Sequence, residues 1–435
     1  MYNLTMNNIN YDLVIIGGGT SGCAAAYIAA KSGIKTLLVE KNNFLGGLMT
    51  GGLVVPIMKS AVDDINTDFY FELVEHAKKY NAQITYKFKN SKNDGWFNPE
   101  VLKIVLDDLL TKDEIRKNLD ILYETEVSDV EIDDNKIKTV ILKNDILSIP
   151  IDSTYFIDAT GSGILSSLAG CKFIDDSKQN QQSSLRFILS NVDIKTFAKF
   201  IKKIDNDEDI TNIYRDDRDT KGLINFTTAS TWDTNKKWAL DEILKQAVQD
   251  NVLLDSDRSY FQIFSVAGST NQVAFNCPRI NSYKNNPYKY SEELINARKA
   301  IWRLFNFVKK YFKGFENAEL TNIASQTGIR ELRRVKTKYI YTKDDLISGN
   351  KFDNAVLKSN YSIDIHSKDK NSSVLQKTVN YELPIESLMS VDRENLFVIG
   401  KIIGADFEAH SALRVQKSCM QMGEAAAKYI AKINS

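Results

Sequence analysis

Residues Asp12–Glu40 read DLVIIGGGTSGCAAAYIAAKSGIKTLLVE, and this stretch decides the fold. An apolar run, Leu13 to Ile16, enters three glycines. An alanine-rich helix follows, and a second apolar run, Thr36 to Val39, is closed by Glu40. The glycines are spaced Gly17-x-Gly19-x-x-Gly22, directly after a strand and at the start of a helix, with an acid 18 residues beyond the last of them. That context makes the pattern a dinucleotide-binding fingerprint. Gly17 makes the tight turn, Gly19 lets the backbone approach a pyrophosphate, and Gly22 lets helix and strand pack closely. The helix then aims free N–H groups and the positive end of its dipole at the phosphates. Glu40 can accept hydrogen bonds from a ribose diol.

Composition narrows the partners. A chain of 435 residues suits two or three structural units, and a hydrophobic share of 43% excludes disorder. Lys plus Arg equals Asp plus Glu at 56 each. No basic excess points to nucleic acid or an anionic membrane, which leaves a small-molecule substrate. Cys23, Cys171, Cys277 and Cys419 are far apart and never form CxxC, so zinc ribbons, iron–sulfur ligation and a dithiol redox pair are not expected, and no metal is. Residues 13–30 and 42–58 are uncharged, but their glycines argue against membrane spans. The opening MYNLTMNNIN lacks the basic-then-apolar pattern of a signal peptide, and a cytoplasmic location is the expectation.

Along the chain, Gly46, Gly47, Gly51 and Gly52 sit in one uncharged loop, as expected where backbone approaches something flat or phosphorylated. Thr67 to Tyr80 and Asn98 to Asn118 read as helices, the second with Asn98 as cap and Pro99 in its first turn. His76, among Lys and Glu, reads as solvated. Residues 121–158 hold short β-prone runs (ILYETEV, KIKTVILKN, ILSIPI, TYFID), a small antiparallel insertion that returns to a parallel strand. That strand ends in Ala159-Thr160-Gly161-Ser162-Gly163, a second glycine turn expected at the same sheet edge as the first. From Cys171 the αβ rhythm stops. SSLRFILSNVD, SYFQIFSVA and NQVAFNCPRI read as strands, and 236–250 and 290–313 as helices; the stripe Leu294, Ala297, Ile301, Phe305, Val308 and Phe312 is core. Arg330, Arg333 and Arg334 follow, with Arg330 and Arg334 on one side of a strand and Arg333 on the other, free to meet a carboxylate or to pair with Glu331 and Asp344. Asn395 to Gly400 is another strand ending in glycine, and a helix begins near Val415.

The first fingerprint, the glycine loop and Ile157-Asp158-Ala159-Thr160-Gly161-Ser162-Gly163 together resemble FAD-dependent oxidoreductases of the glutathione-reductase-like superfamily. More narrowly they resemble the FAD-dependent oxidoreductase family that includes the flavin subunit of heterodisulfide reductase. The resemblance spans nearly the whole chain and is weakest over 175–320. It implies an α/β fold: a Rossmann-like FAD-binding domain, parallel sheet with an antiparallel β insertion, built from 1–172 and completed by 383–435, around an inserted α+β substrate domain at 173–382. It implies FAD contacts from Gly17, Gly19, Thr20, Ser21 and Gly22, from Glu40 and Lys41, and from Gly46, Gly47, Leu48, Met49 and Thr50. Further contacts are implied from the backbone near Val127, from Ala159, Thr160 and Gly161, and from Gly400 and Ala405. Family members usually have Arg or Asp where Lys401 stands, so no role is carried over to it.

Flavin does the redox chemistry while protein supplies placement and proton handling. His410 is the first acid/base candidate, with Glu408 as partner; His366 is the second, and Arg330 and Arg414 are substrate anchors suited to an anion. The expected activity is hydride transfer between flavin N5 and a small organic substrate. An NAD-dependent dehydrogenase, an RNA-modifying flavoenzyme and an electron-transfer subunit are the competing readings. The second glycine turn opposes the first of these and the neutral charge the second.

Overall fold

The computed structural model describes residues 9–434 except 59, 61–64, 81–92, 176–180, 209, 216–223, 231–235, 282–285 and 368–373. Strand β1 (Ile9–Ile16), helix α1 (Thr20–Lys31) and β2 (Thr36–Val39) form the unit expected from residues 12–40. Helices α2 (Asp68–Lys78) and α3 (Pro99–Leu110) follow. The Asn98 side chain caps α3 by accepting from Glu100 N at 3.0 Å, as its sequence demands. The helix is shorter than expected: Thr111 Oγ1 donates to the Asp107 carbonyl at 2.7 Å, and only a four-residue turn, Asp113–Arg116, comes after. His76 is a second correction. It is 3% exposed, with Nε2 at 2.5 Å from Asp108, so it is packed rather than solvated.

Next come β3 (Leu119–Leu122), β4 (Glu126–Asp133), β5 (Lys136–Lys143) and β6 (Ser148–Asp158). The run TYFID and the Ser148–Ile151 part of ILSIPI, read separately in the sequence, belong to one 11-residue strand. Pro150 lies opposite Ile141 of β5 and one position before the described pairing of β6 with β1 begins. The sheet order is β3-β2-β1-β6-β5-β4. The pairings β3–β2, β2–β1 and β1–β6 are parallel, while β6–β5 and β5–β4 are antiparallel.

The chain then builds a second, six-stranded antiparallel sheet. Its strands are β7 (Phe187–Ser190), β8 (Thr211–Arg215), β9 (Ile224–Ala229), β10 (Gln262–Ser265), β11 (Val273–Phe275) and, after helix α4 (Pro287–Tyr311), β12 (Glu319–Ile323). Their order is β8-β9-β10-β11-β7-β12. Phe187, Phe197, Phe261, Phe275 and Phe312 form its core with one face of α4, including Ala297, Ile301, Phe305 and Val308. That core ends at Ala324. The buried side chains of Tyr341, Leu357, Ile363 and Tyr381 belong instead to the cluster around β1 and α1.

Strand β13 (Leu396–Val398) closes the first sheet by pairing parallel with the end of β6, Val398 opposite Asp158. Helices α5 (Phe407–Leu413) and α6 (Gln416–Asn434) finish the chain. The small residues of α6 let it lie hard against α1: a Cβ on Gly423 would stand 2.1 Å from Ser21 O. Among the described residues no helix is long and apolar enough to cross a membrane.

Candidate functional site

Strands β1, β6 and β13 end side by side, and each runs into glycine. Gly17 N donates to Val39 O at 2.7 Å, and Ala159 N donates to Ile16 O at 2.8 Å. Gly17 has φ +106°, and a Cβ there would meet the Ala159 carbonyl at 2.7 Å. A Cβ on Gly22 would lie 1.9 Å from Gly17 O, so α1 reaches β1 only because that position is bare. Gly19 is different. No atom lies within 4 Å of where its Cβ would stand, so the space over this turn is open. Gly19 is also the N-cap of α1, with no side chain capping the helix and no acid in its first turn. The positive end of the helix dipole, uncapped by any side chain, therefore lies at a turn with open space over Gly19, and that fits a dinucleotide's diphosphate.

Glu40 lies at the end of β2, 5% exposed, with Oε2 accepting from Gly18 N at 2.8 Å and Oε1 from Asn42 N at 2.8 Å. Glu124 N and Thr125 N donate to Asn42 O and Glu40 O, which brings the start of β4, and with it Val127, alongside the acid. Gly46 N donates to Gly18 O at 2.8 Å, so the second glycine loop lies on the first. Leu48 and Met49 make a short 3₁₀ turn with Gly47, and Thr50 Oγ1 closes it by donating to Leu45 O at 2.5 Å.

The turn after β6 is organised by Asp158, which is fully buried. It accepts from Thr160 N and Oγ1 at 3.1 and 2.7 Å, and from Ser166 N and Oγ at 2.8 and 2.7 Å. Arg333 holds the same turn from outside, donating from Nε to Ser162 O at 2.9 Å with its guanidinium over the Phe173 ring. Gly161 faces Lys401: a Cβ there would lie 3.0 Å from Lys401 Cε. Lys401 Nζ donates to Ile329 O at 2.8 Å. Burial takes its ammonium down to about 8, against the attraction of Cys419 and with the help of Arg414.

His410 sits behind the Gly400–Ala405 turn, fully buried, with Nε2 at 2.9 Å from the Lys401 carbonyl. A carbonyl only accepts, so Nε2 carries the proton and Nδ1 is a bare lone pair. Nδ1 has no hydrogen-bond partner among the described residues. Burial first, then Arg334 and Arg414, hold the imidazole far below its usual range, hence neutral. Glu408 is not its partner among the described contacts, because residues two apart on a helix do not face each other.

Beyond Ile329 lies a buried polar cluster. Arg330 donates from Nη1 to Gln182 O at 2.5 Å and from Nη2 to Ser184 Oγ at 3.2 Å. Arg414 Nη2 donates to Asp364 O at 2.9 Å and to Gln181 Oε1 at 3.2 Å. Asp364 and His366, two apart on the strand Ile363–Ile365 and its continuation, lie on one face, with His366 Nε2 at 3.2 Å from Asp364 Oδ2. Arg279 Nη2 lies 3.0 Å from His366 Nδ1. Arginine only donates, so Nδ1 accepts and Nε2–H donates to Asp364. Desolvation, resisted by Asp364, lowers the imidazole well below its usual range. Arg279 also stacks on Tyr260, 3.8 Å from the ring centre, and Arg186 approaches the Phe264 ring.

Of the candidate residues named from sequence, Arg330, Arg414 and His366 therefore converge, while His410 and Glu408 stand apart behind the Gly400 turn. Arg330 and Arg334 are both buried and Arg333 is not, as alternation predicts, although the segment is irregular rather than a strand. Arg334 pairs with Glu331 at 3.6 Å and donates to Ala405 O. Arg186 and Arg279 were not singled out from sequence. The signal was available: each is a lone charge in an apolar strand run, and arginine is almost never buried without a purpose.

The sequence profile of the FAD dependent oxidoreductase family matches residues 12–433. Among curated proteins, the chain is 31% identical over 168 residues to a thiamine thiazole synthase of Methanococcus aeolicus, 37% of this chain and 58% of that protein. It is 25% identical over 170 residues to the thiamine thiazole synthase of Pyrococcus horikoshii, 37% of this chain and 62% of that one. The match thus spans about three fifths of these relatives' length. Among solved structures, a geranylgeranyl bacteriochlorophyll reductase-like protein of Thermoplasma acidophilum superposes with a TM-score of 0.46 at 14% identity, covering 98% of this chain and 79% of that one.

Proposed function

The chain belongs to the FAD dependent oxidoreductase family, and from that premise we propose that it oxidises or reduces a small, anionic organic substrate by hydride transfer. Bound FAD supplies the two-electron acceptor or donor at its N5 position. The turn Gly17–Gly22 and the first turn of α1 would hold the diphosphate, Glu40 the ribose, and the backbone near Val127 the adenine. Gly46 to Thr50, Ala159 to Gly161, Gly400 and Ala405 would line the rest of the cofactor. Arg330 and Arg414 anchor the substrate. His410, behind the Gly400 turn, is the proton-handling candidate, because among the described residues its Nδ1 has no hydrogen-bond partner whereas both ring nitrogens of His366 do.

The observation that carries this reading is a continuity. The glycine edge leads through Lys401 and Ile329 directly to Arg330 and the buried cluster, so a cofactor on the edge would have charged, water-poor surroundings at one end. A net charge of zero and four separate, buried cysteines do not favour an RNA substrate or an iron–sulfur partner.

The test is a visible spectrum of freshly purified protein, then anaerobic reduction and reoxidation with a panel of organic acids. A colourless protein that binds no added FAD overturns the proposal. For the proton, His410→Ala should slow substrate-dependent reoxidation roughly 100-fold with FAD content unchanged; a wild-type rate removes His410 from the mechanism.

A further inference from the structure

We propose that Arg186, Arg279, Arg330 and Arg414 together form the substrate's anion site, and that it takes a small organic acid bearing two or more carboxylates. This deepens the oxidoreductase reading above and rests on it for the word substrate.

The four guanidinium groups come from separate parts of the chain. Arg186 precedes β7 and Arg279 pairs with Ser184, beside the core of the second sheet, while Arg330 and Arg414 come from segments beside the first. Among the described residues Asp364 is the carboxylate that meets them, and His366 is held neutral by the proton logic given above. Among the described residues, four cations against one anion leave a buried excess of positive charge. Buried charge without a partner is destabilising, and interiors ordinarily pair it.

The hydrogen bonds already made do not absorb this excess, because they go to neutral groups. Arg330 is satisfied by a carbonyl and a hydroxyl, and Arg279 by an imidazole and Ser184. Arg186 is 8% exposed, and its Nε and Nη1 have no hydrogen bond among the described residues; nor has Arg414 Nε. Burial, and after it repulsion from Arg279, takes the Arg186 guanidinium down to about 9. Burial and its three arginine neighbours pull Arg330 the same way. A guanidinium with unused N–H groups makes two-point contacts with a carboxylate. Positive charge spread over four segments suits an anion whose own charge is spread, several carboxylates on one carbon skeleton, better than one compact phosphate. Such an occupant would contact residues beside both cores at once.

The experiment titrates the FAD-loaded protein calorimetrically with succinate, citrate, acetate and inorganic phosphate at low ionic strength, and follows the visible flavin band in parallel. Succinate or citrate should bind at least tenfold more tightly than acetate or phosphate and should perturb the band. Arg186→Gln and Arg279→Gln should each lose at least tenfold of that affinity while retaining their FAD. If either is poorly folded, Arg186→Lys keeps the charge without the fork and should fall between wild type and Arg186→Gln. No carboxylate binding, equal binding of phosphate, or unchanged binding in both glutamine variants overturns the proposal. The two readings separate cleanly. A yellow protein indifferent to polycarboxylates loses the anion site alone, and a protein that binds citrate but never FAD keeps the anion site and loses the redox role.

Discussion

The glycine edge and the arginine cluster adjoin across Lys401 and Ile329, yet they are built by opposite means. The edge consists of main chain and missing side chains: Gly17 against Ala159, Gly22 against Gly17, Gly423 against Ser21. It is complete without an occupant, because its contacts are internal packing. The cluster consists of long charged side chains from scattered segments, balanced in part by Asp364. The difference teaches where each region is vulnerable. The edge fails by steric intrusion, and the cluster fails by loss of charge balance.

The largest expected effect removes that balance. Burial by itself would raise the Asp364 carboxyl, but the His366, Arg414 and Arg330 contacts outweigh burial and hold it far below the usual carboxylate range. A carboxyl depressed in the folded state contributes stability above its unfolded pKa of about 4 and loses it as pH falls further. Asp364→Asn should therefore cost about 3–5 kcal/mol at neutral pH, since it leaves buried arginines unopposed. In urea unfolding, the wild type should approach the variant as pH drops below about 4. A constant gap between the two down to acid pH would break the electrostatic account of the cluster.

Next in size is Gly22→Ala. The methyl group would stand 1.9 Å from a backbone oxygen that cannot move without shifting β1 or α1. Overpacking of this kind should cost about 3 kcal/mol. Because the cause is steric, the loss should be the same at pH 5 and pH 8, unlike that of Asp364→Asn. A pH-dependent loss would blur the distinction between the two regions.

The same contrast explains what could be read from sequence. The edge follows local spacing: Gly17, Gly19, Gly22 and Glu40 lie within 24 residues, and strand-ending glycines mark the other two turns. The cluster is assembled from positions 186, 279, 330, 364, 366 and 414, and no spacing rule links a residue of β7's approach to one at the end of α5. Arg330, Arg414 and His366 lie outside the stretch 175–320 where the resemblance is weakest, whereas Arg186 and Arg279 lie inside it. His410 and Glu408 show the limit of proximity in sequence. They are two apart on α5, and helix geometry points them in different directions. His76 shows the limit of composition, since a polar-looking helix still buried its histidine against α3.

Lys401 sits between the regions and should behave like the cluster rather than the edge. Its ammonium is lowered by burial to about 8. Below that pH the folded protein carries a buried charge. Between about 8 and the unfolded value near 10.5, the unfolded chain holds a proton that the folded one has released, so stability rises with pH across this window. The rise should be about 2 kcal/mol, discounted for the part of the side chain that solvent reaches. Lys401→Met, measured without FAD alongside the wild type, should lack this limb. Parallel curves would mean that Lys401 is no more desolvated than a surface lysine.

The smallest effect on the fold is the most informative about the edge. Gly19 has φ −74° and ψ −171°, backbone that any residue adopts, and nothing lies within 4 Å of its missing Cβ. Gly19→Ala should therefore change the stability of the FAD-free protein by less than about 0.5 kcal/mol, as for an unremarkable surface substitution. If the space over the turn belongs to the diphosphate, the same methyl group should weaken FAD binding at least tenfold, about 1.4 kcal/mol, by holding the phosphates off the N–H groups of α1. Fluorescence titration of the FAD-free protein measures the second effect, and thermal unfolding the first. Gly22→Ala weakens the fold and FAD binding together, so Gly19→Ala is the variant that separates a glycine kept for packing from one kept for a ligand. Undiminished FAD affinity in this variant would move the diphosphate away from the first turn of α1, leaving the edge a packing motif alone.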